Sequence, residues 1–151
     1  MCLGVIYGLS DTQMINTMKK EGSKFIKELG LELAWQLTYR ESFISEDMMN
    51  NSIIFELTRD GVAEKILCPD WCQYNGEFSN ETLENRLEKV KQFIRLVLQY
   101  STKVDLYIGE SGGSNEDYEH CSVSISDIVK FLLKIYRIKG DVPNVCLHIN
   151  K

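Results

Sequence analysis

Residues 104–137, VDLYIGESGGSNEDYEHCSVSISDIVKFLLKIYR, contain the clearest succession of structural elements in the chain. They open with a short apolar run, Val104–Ile108, that predicts a strand. They close with an amphipathic run that predicts a helix opening near Ser124, where Asp127 completes a capping box. The Gly-rich acidic segment Gly109–His120 between them predicts a loop. A strand, a loop and a helix in this order indicate an α/β unit.

The charge of this stretch has one sign. No Lys or Arg lies between Lys103 and Lys130, whereas six carboxylates do: Asp105, Glu110, Glu116, Asp117, Glu119 and Asp127. Because the whole chain has a net charge of −5, these six side chains account for all of its net acidity. Such acidity is compatible with a basic partner, since complementary surface potentials steer association; the alternative is that it keeps a small protein soluble.

Composition is typical of a soluble globular protein. The 151 residues, 44% apolar and 26% charged, suit one domain that spans 1–151. The acidic balance excludes a general nucleic-acid binder, which needs clustered Lys and Arg. No apolar run approaches the ~20 residues of a membrane span, and no signal peptide is evident. Five cysteines without framework spacing predict reduced thiols, so we expect a cytoplasmic protein.

The first thirty residues predict a strand followed by a helix. Met1–Gly8 is an apolar run typical of a strand buried on both faces. Ser10 and Gln13 have capping-box spacing, so the helix is predicted to start at Ser10 and to end at Gly30. Gly22 lies in the apolar stripe of this helix, which indicates a close approach of a neighbouring segment there.

The next region predicts an antiparallel meander. Every odd residue of Leu31–Arg40 is large and apolar, which predicts a half-buried strand with Trp35 facing inward. An Asp-Gly pair then separates Ile53–Thr58 from Val62–Cys68, and this is a strong hairpin signal.

Two helices and two strands complete the prediction. Ser79 or Asn80 is expected to cap a long helix with the inward-facing stripe Leu83, Leu87, Val90, Ile94 and Val97. The last helix is expected to bury Ile128, Val129, Leu132, Leu133 and Tyr136, and Val145–Ile149 predicts the final strand. The order β-α-β-β-β-α-β-α-β predicts a single α/β (α+β) domain with a mixed sheet of about six strands and three helices packed on it.

The Gly-rich loop does not match a known nucleotide or calcium motif. Gly109–Ser114 lies where phosphate loops occur, yet it fits neither glycine pattern and carries no Lys. Its carboxylates would repel a phosphate, and their spacing differs from that of an EF-hand. We therefore expect no nucleotide and no calcium at this loop.

The cysteines and histidines form no complete motif either. Cys68 and Cys72 lack the further ligands that a zinc site needs. Cys146 and His148 share one face of a predicted strand, but His120 would have to converge with them from a distant segment. We therefore expect no catalytic residue, no cofactor and no metal ion.

The acidic segment is instead predicted to bind a protein. Its expected contact residues are Glu110, Glu116, Asp117, Tyr118 and Glu119. In this hypothesis the carboxylates steer a basic partner and the aromatic ring is an anchor; the alternative is a solvated loop. A second aromatic group that includes Trp71 and Tyr74 either widens this binding face or covers one end of the sheet.

Three passages resemble a family of binding proteins: Asp105–Gly109, Cys121–Lys130 and Val142–Cys146. They are similar in style to the C-terminal halves of immunity proteins from bacterial contact-dependent inhibition and related polymorphic toxin systems. The resemblance implies a role and no residue assignments. The implied role is tight binding and neutralisation of one cognate toxin domain, frequently a nuclease with a basic cleft, by a protein that is not an enzyme.

Two rival functions remain open. One is a small cysteine- or metal-dependent hydrolase that uses Cys146, His148 and His120. The other is a structural adaptor that dimerises through a sheet edge.

Overall fold

The computed structural model describes residues 4–12, 14–35, 53–58, 64–67, 82–110, 118–136 and 144–151. The strands are β1 Gly4–Thr12, β2 Glu32–Ala34, β3 Ile53–Thr58, β4 Ser101–Glu110, β5 Glu119–Val123 and β6 Val145–Asn150. The helices are α1 Ile15–Leu29, α2 Glu64–Leu67, α3 Leu83–Tyr100 and α4 Ile128–Tyr136, with a 3-10 turn Ile125–Asp127 before α4. No helix within these ranges has the length and apolar character required to cross a bilayer.

The six strands form one mixed sheet in the order β2-β3-β1-β4-β6-β5. Strand β1 is antiparallel to both β3 and β4, and β4 is antiparallel to β6. Strands β5 and β6 are parallel, and α4 lies between them in the chain. A mixed six-stranded sheet with three longer helices confirms the predicted architecture.

The helices pack on one face of the sheet. Alternate residues of β4 and β6 join the buried helix side chains in one apolar cluster: Val104, Leu106, Ile108, Val145, Leu147 and Ile149. Phe55 of β3 and Phe93 of α3 meet edge to face, with ring centres 5.1 Å apart. Burying one such ring contributes about 1.5–3 kcal/mol. Because side chains alternate along a strand, the intervening residues of β4 and β6 point to the face opposite the helices.

The predicted start of the first helix is wrong. Ser10 lies inside β1, where its backbone pairs with β3 on one side and β4 on the other, and its side chain is buried. A residue at this position of a ladder cannot cap a helix, so α1 begins at Ile15 after Met14. The first strand is therefore longer than predicted. Gln13 lies outside the described residues.

The end of α1 and the close approach at Gly22 are confirmed. Gly30 adopts a left-handed conformation with φ 74° directly after the helix. A Cβ at Gly22 would lie 3.1 Å from the ring of Trp35, so that ring occupies the space that a side chain would need. Of the strand predicted over 31–40, only Glu32–Ala34 is observed, as β2. The prediction that Trp35 faces inward on this strand is wrong, because Trp35 lies in a bend directly after β2 and is only half-buried. Residues 36–40 lie outside the described ranges.

The predicted hairpin after β3 is wrong. Part of the predicted strand Val62–Cys68 forms helix α2 instead. Strand β3 pairs with β2 on one side and β1 on the other, so no edge remains for a hairpin partner. Both Ile66 and Leu67 are buried, which a half-buried strand would not allow for consecutive residues.

The inward stripe predicted for the long helix α3 is confirmed, since all five residues of the stripe are buried. Its cap is Thr82, whose Oγ1 accepts a hydrogen bond from Asn85 N at 3.2 Å. The predicted caps Ser79 and Asn80 lie outside the described residues. The cap therefore lies two or three residues later than the sequence pattern indicated.

The C-terminal part of the chain contains one strand that was not predicted, β5. The predicted loop Gly109–His120 ends earlier than expected, because β5 begins at Glu119 and pairs with β6. The predicted helix opens as the 3-10 turn, and Ser124 Oγ donates to Asp127 Oδ2 at 3.0 Å rather than capping a backbone group. Four of the five predicted inward residues of α4 are buried, and the side chain of Tyr136 is outside the described set.

Candidate functional site

The sheet register brings polar side chains from β4, β5 and β6 together on the face opposite the helices. His148 of β6 is paired with Asp105 of β4, and the neighbouring rung pairs Cys146 with Tyr107 of β4 and His120 of β5. Directly paired residues of neighbouring strands point to the same face of a sheet. These five residues therefore form one cluster, which we call the His-Cys cluster.

A chain of hydrogen bonds links three members of this cluster. His148 Nδ1 lies 2.7 Å from Asp105 Oδ1, and His148 Nε2 lies 2.8 Å from His120 Nδ1. The two imidazole planes differ by 15°, and their centres are 5.1 Å apart. The distance between the ring centres equals the N···N distance plus the radius of each of the two rings. The two nitrogens therefore point at each other along the line of centres, as in an in-plane hydrogen bond and unlike stacked rings.

The carboxylate determines which nitrogen of His148 carries the proton. A carboxylate oxygen can only accept, so His148 donates from Nδ1 to Asp105. In the neutral imidazole Nε2 then carries the lone pair, and it accepts from His120 Nδ1. The result is a fixed orientation of His148, with its basic nitrogen turned toward β5.

Cys146 lies behind the two histidines and is fully buried. Its Sγ is 3.9 Å from His148 Nε2, and it accepts a hydrogen bond from the Tyr107 hydroxyl. Burial raises the pKa of Cys146 to about 12, the carboxylate of Asp105 also raises it, and the Tyr107 hydrogen bond opposes this increase. The pKa of Tyr107 is raised as well, mainly by burial and then by Cys146. At neutral pH the sulfur is therefore a thiol and not a nucleophilic thiolate.

The cluster has a wall of aromatic side chains and an accessible side. Tyr118 packs edge to face on Tyr107, with ring centres 5.1 Å apart, and is only 3% exposed. On the other side the His148 side chain is 37% exposed, and His120 is exposed. Solutes can therefore reach the two imidazoles, whereas the sulfur is enclosed.

A tight backbone contact holds β5 beside this cluster. Glu119 N donates to Asn144 O at 2.8 Å, just before β6 begins. A Cβ at Gly109 would lie 2.1 Å from Asn144 Oδ1, and the φ of 152° at Gly109 is one that other residues rarely adopt. Glycine at this position therefore permits the close packing of β4 against the residue that positions β5.

The structure places the predicted partner-binding residues in different settings. Glu110 ends β4, and Glu119 is exposed at the start of β5. Tyr118 is buried within the chain, so its ring is not on the surface in this conformation. The remaining predicted contact residues, Glu116, Asp117, Trp71 and Tyr74, lie outside the described residues. A partner-binding role for the set stays a prediction.

The structure also brings together residues that the sequence left apart. The sequence named His120, Cys146 and His148 as candidates and left open whether His120 meets the other two; they converge because β5 pairs with β6 in the observed register. The role of Asp105 in orienting His148 was missed. The available signal was a carboxylate, Asp105, within the apolar run Val104–Ile108, two residues before Tyr107 and so on the same face of the strand. One ligand atom from each of His120, Cys146 and His148 lies within 4.8 Å of the other two, so these residues could hold a metal ion.

Comparison of the chain with protein-family models, with curated proteins and with solved structures found no match.

Proposed function

We propose that this protein binds and neutralises a cognate toxin domain that carries a basic surface, and that it does so without catalysing a reaction. The acidic segment that begins at Glu110 and ends at Glu119 is the proposed contact region. The observation that carries this proposal is that a segment whose sequence has carboxylates and no cation begins at the end of β4 and ends at the start of β5.

Both ends of the acidic segment lie at one end of the sheet. Glu110 pairs with Gly4 of β1, and Glu119 pairs with Val145 of β6. Val145 in turn pairs with Ile108 of β4, two residues before the segment begins. The two ends of the segment are therefore held at one end of the sheet, and we propose that the carboxylates of the segment steer a basic protein there.

Strand β5 supports the proposal through its position in the sheet. In the described ranges it has a partner strand, β6, on one side only. Three of its five residues are exposed: Glu119, His120 and Ser122. An extended segment of a partner could add to this edge through main-chain hydrogen bonds, while the acidic segment supplies the electrostatic attraction.

The test starts with the toxin domain encoded directly upstream as the candidate partner. Co-expression should restore growth of cells that produce this domain, and the purified proteins should form a stable complex. The variant Glu116→Ala/Asp117→Ala/Glu119→Ala should slow association, and the loss should be largest at low salt, because screening beyond ~8–10 Å weakens steering in any case.

A matched control keeps the change in net charge and moves it elsewhere. Glu21 and Glu28 of α1 and Glu32 of β2 are exposed carboxylates, and replacing all three by Ala also removes three negative charges. This control should associate at the wild-type rate. Equal association rates for the two triple variants would reject the acidic segment as the contact region, and absence of both growth rescue and binding would reject this toxin as the partner.

A small hydrolase is the second candidate, favoured by the convergence of His120, Cys146 and His148. The burial of Cys146 disfavours a cysteine nucleophile, so this candidate would use a metal-activated water. Hydrolysis of model esters or phosphoesters that is lost in His120→Ala would support it. Equal rates for wild type and His120→Ala would exclude it.

A further inference from the structure

We propose that His120, Cys146 and His148 form a binding site for Zn²⁺, with Asp105 orienting His148 from behind. This site is independent of the proposed toxin binding. It also reverses the expectation of no metal that followed from the sequence, because that expectation rested on His120 staying apart from Cys146 and His148, and β5 pairs with β6.

The donor set fits this ion. Two imidazole nitrogens and one sulfur are donors that Zn²⁺ binds well, whereas Ca²⁺ and Mg²⁺ bind oxygen donors. The donor atoms are His120 Nδ1, His148 Nε2 and Cys146 Sγ, which come from two neighbouring strands. Three protein ligands leave a fourth position for water or for a group from another molecule.

The distances are close to those that a tetrahedral site needs. Bonds of about 2.0–2.1 Å to nitrogen and about 2.3 Å to sulfur place two nitrogens about 3.3 Å apart, and nitrogen and sulfur about 3.6 Å apart. The observed values are 2.8 Å between the two imidazole nitrogens and 3.9 Å between Cys146 Sγ and His148 Nε2. A rotation of the exposed His120 ring would open the N···N distance and turn the His120 lone pair toward the point that the fixed His148 lone pair already faces.

The backbone already holds the ligands in register. Cys146 pairs directly with His120, and its other neighbour is Tyr107 of the central strand β4. No strand has to move for the ion to bind, so the adjustment is confined to side chains. A site of this kind is favoured because little conformational entropy is lost when the ion enters.

The second layer of contacts has the pattern found around bound metals. A ligating histidine usually donates its other N–H to a carboxylate, which fixes the ring and its tautomer. His148 does this with Asp105 over 2.7 Å. Tyr107 donates a hydrogen bond to Cys146 Sγ, which would stabilise the sulfur as a thiolate.

The charges and protons of the site balance. When Zn²⁺ binds, the S–H bond of Cys146 breaks, its electron pair forms the Zn–S bond, and the proton passes to the buffer. The hydrogen bond between the two imidazoles is replaced by two Zn–N bonds: the Nδ1–H bond of His120 breaks, its electron pair forms the Zn–N bond, and Nε2 of the same ring takes up a proton from solvent, so the ring stays neutral. The two positive charges of the ion are then offset by the thiolate and by the Asp105 carboxylate.

Titration of the reduced, chelator-treated full chain with Co²⁺ tests the site directly. We expect one equivalent to bind, with a thiolate-to-cobalt charge-transfer band and the visible bands of a four-coordinate ion, and we expect Zn²⁺ to displace it. The variant His120→Ala should weaken binding by about tenfold or more, and Asp105→Ala by about 10–100-fold with the charge-transfer band retained.

The cysteine variants assign the sulfur. Cys146→Ser should lose the charge-transfer band, whereas the matched control Cys121→Ser should keep it, since Cys121 packs toward the apolar core. Circular dichroism checks that each variant folds, and the exposed position of His120 makes His120→Ala the informative variant if Cys146→Ser does not fold. Absence of Co²⁺ binding, or wild-type affinity in His120→Ala, would overturn the proposal. A charge-transfer band that survives in Cys146→Ser would also overturn it.

Discussion

His148 and Asp105 are directly paired across β4 and β6, and the imidazole donates to the carboxylate over 2.7 Å. The contact joins two residues that are 43 positions apart in the chain. It determines which nitrogen of His148 faces His120 and Cys146. The geometry of the whole His-Cys cluster therefore depends on this pair.

We expect Asp105→Ala to change the tautomer of His148. In the wild type the neutral ring carries its proton on Nδ1, because the carboxylate accepts it. Without that acceptor the ring should shift toward the Nε2–H form that predominates in free histidine. Imidazole ¹⁵N chemical shifts in alkaline buffer measure this. The control His120→Ala should keep the Nδ1–H form, and an unchanged tautomer in Asp105→Ala would contradict the assigned hydrogen bond.

Arg86 should stabilise the fold although it carries a charge. It is fully buried on α3, and its Nε donates to Ile66 O of α2 at 3.0 Å. The variant Arg86→Met keeps the aliphatic volume and leaves that carbonyl without this donor, so we expect a loss of about 1–3 kcal/mol of unfolding free energy. Urea denaturation measures it. The exposed Arg95 offers a control, since Arg95→Met should change stability by less than about 0.5 kcal/mol.

Asp11 should make stability dependent on acidic pH. Partial burial raises the pKa of its carboxyl, but hydrogen bonds from the Thr102 side chain and from the backbone of Lys103 and Thr102 outweigh this, so the net pKa is lowered. A pKa that is lower in the folded state contributes stability that is present above the unfolded value of 3.8 and is lost as the pH falls through the folded value.

The variant Asp11→Asn tests this sign. At pH 7 we expect it to be less stable than the wild type by about 1 kcal/mol, because the site is partly solvated. The difference should shrink as the pH falls below 3.8, when the wild-type carboxyl also becomes protonated. Chemical denaturation at several pH values measures the difference. A gap that stays constant down to the lowest accessible pH would contradict the assigned hydrogen bonds.

Trp35 should contribute less to stability than a fully buried tryptophan. Its ring covers Gly22 and its Nε1 donates to Ser23 Oγ at 3.0 Å, but the side chain is only half-buried. We expect Trp35→Ala to cost about 2–3 kcal/mol, below the ~3–5 kcal/mol of a core aromatic residue. Ser23→Ala removes only the hydrogen bond and should cost less than about 1.5 kcal/mol. Chemical denaturation of both variants measures these losses. Equal denaturant midpoints for Trp35→Ala and Ser23→Ala would contradict this packing.

Local sequence patterns were sufficient for elements that depend on near neighbours. The buried stripe of α3, the glycine at the end of α1 and strand β4 follow from side-chain periodicity and backbone preference within a few residues. These features were predicted correctly because the same interactions that define them lie inside a short window. The one-sided charge of residues 104–129 is likewise a property of the sequence itself.

Contacts between distant segments decided the remaining features. Ser10 does not cap a helix because it lies in β1, which has a partner strand on both sides. The predicted hairpin does not form because β3 also has a partner strand on both sides. The His-Cys cluster depends on the same physics, since the pairing of β5 with β6 joins His120 to His148 across 28 residues. Strand register is set by the packing of whole faces against the core, and no local pattern encodes it. The candidate site therefore follows from the tertiary structure, whereas its residue types were already present in the sequence.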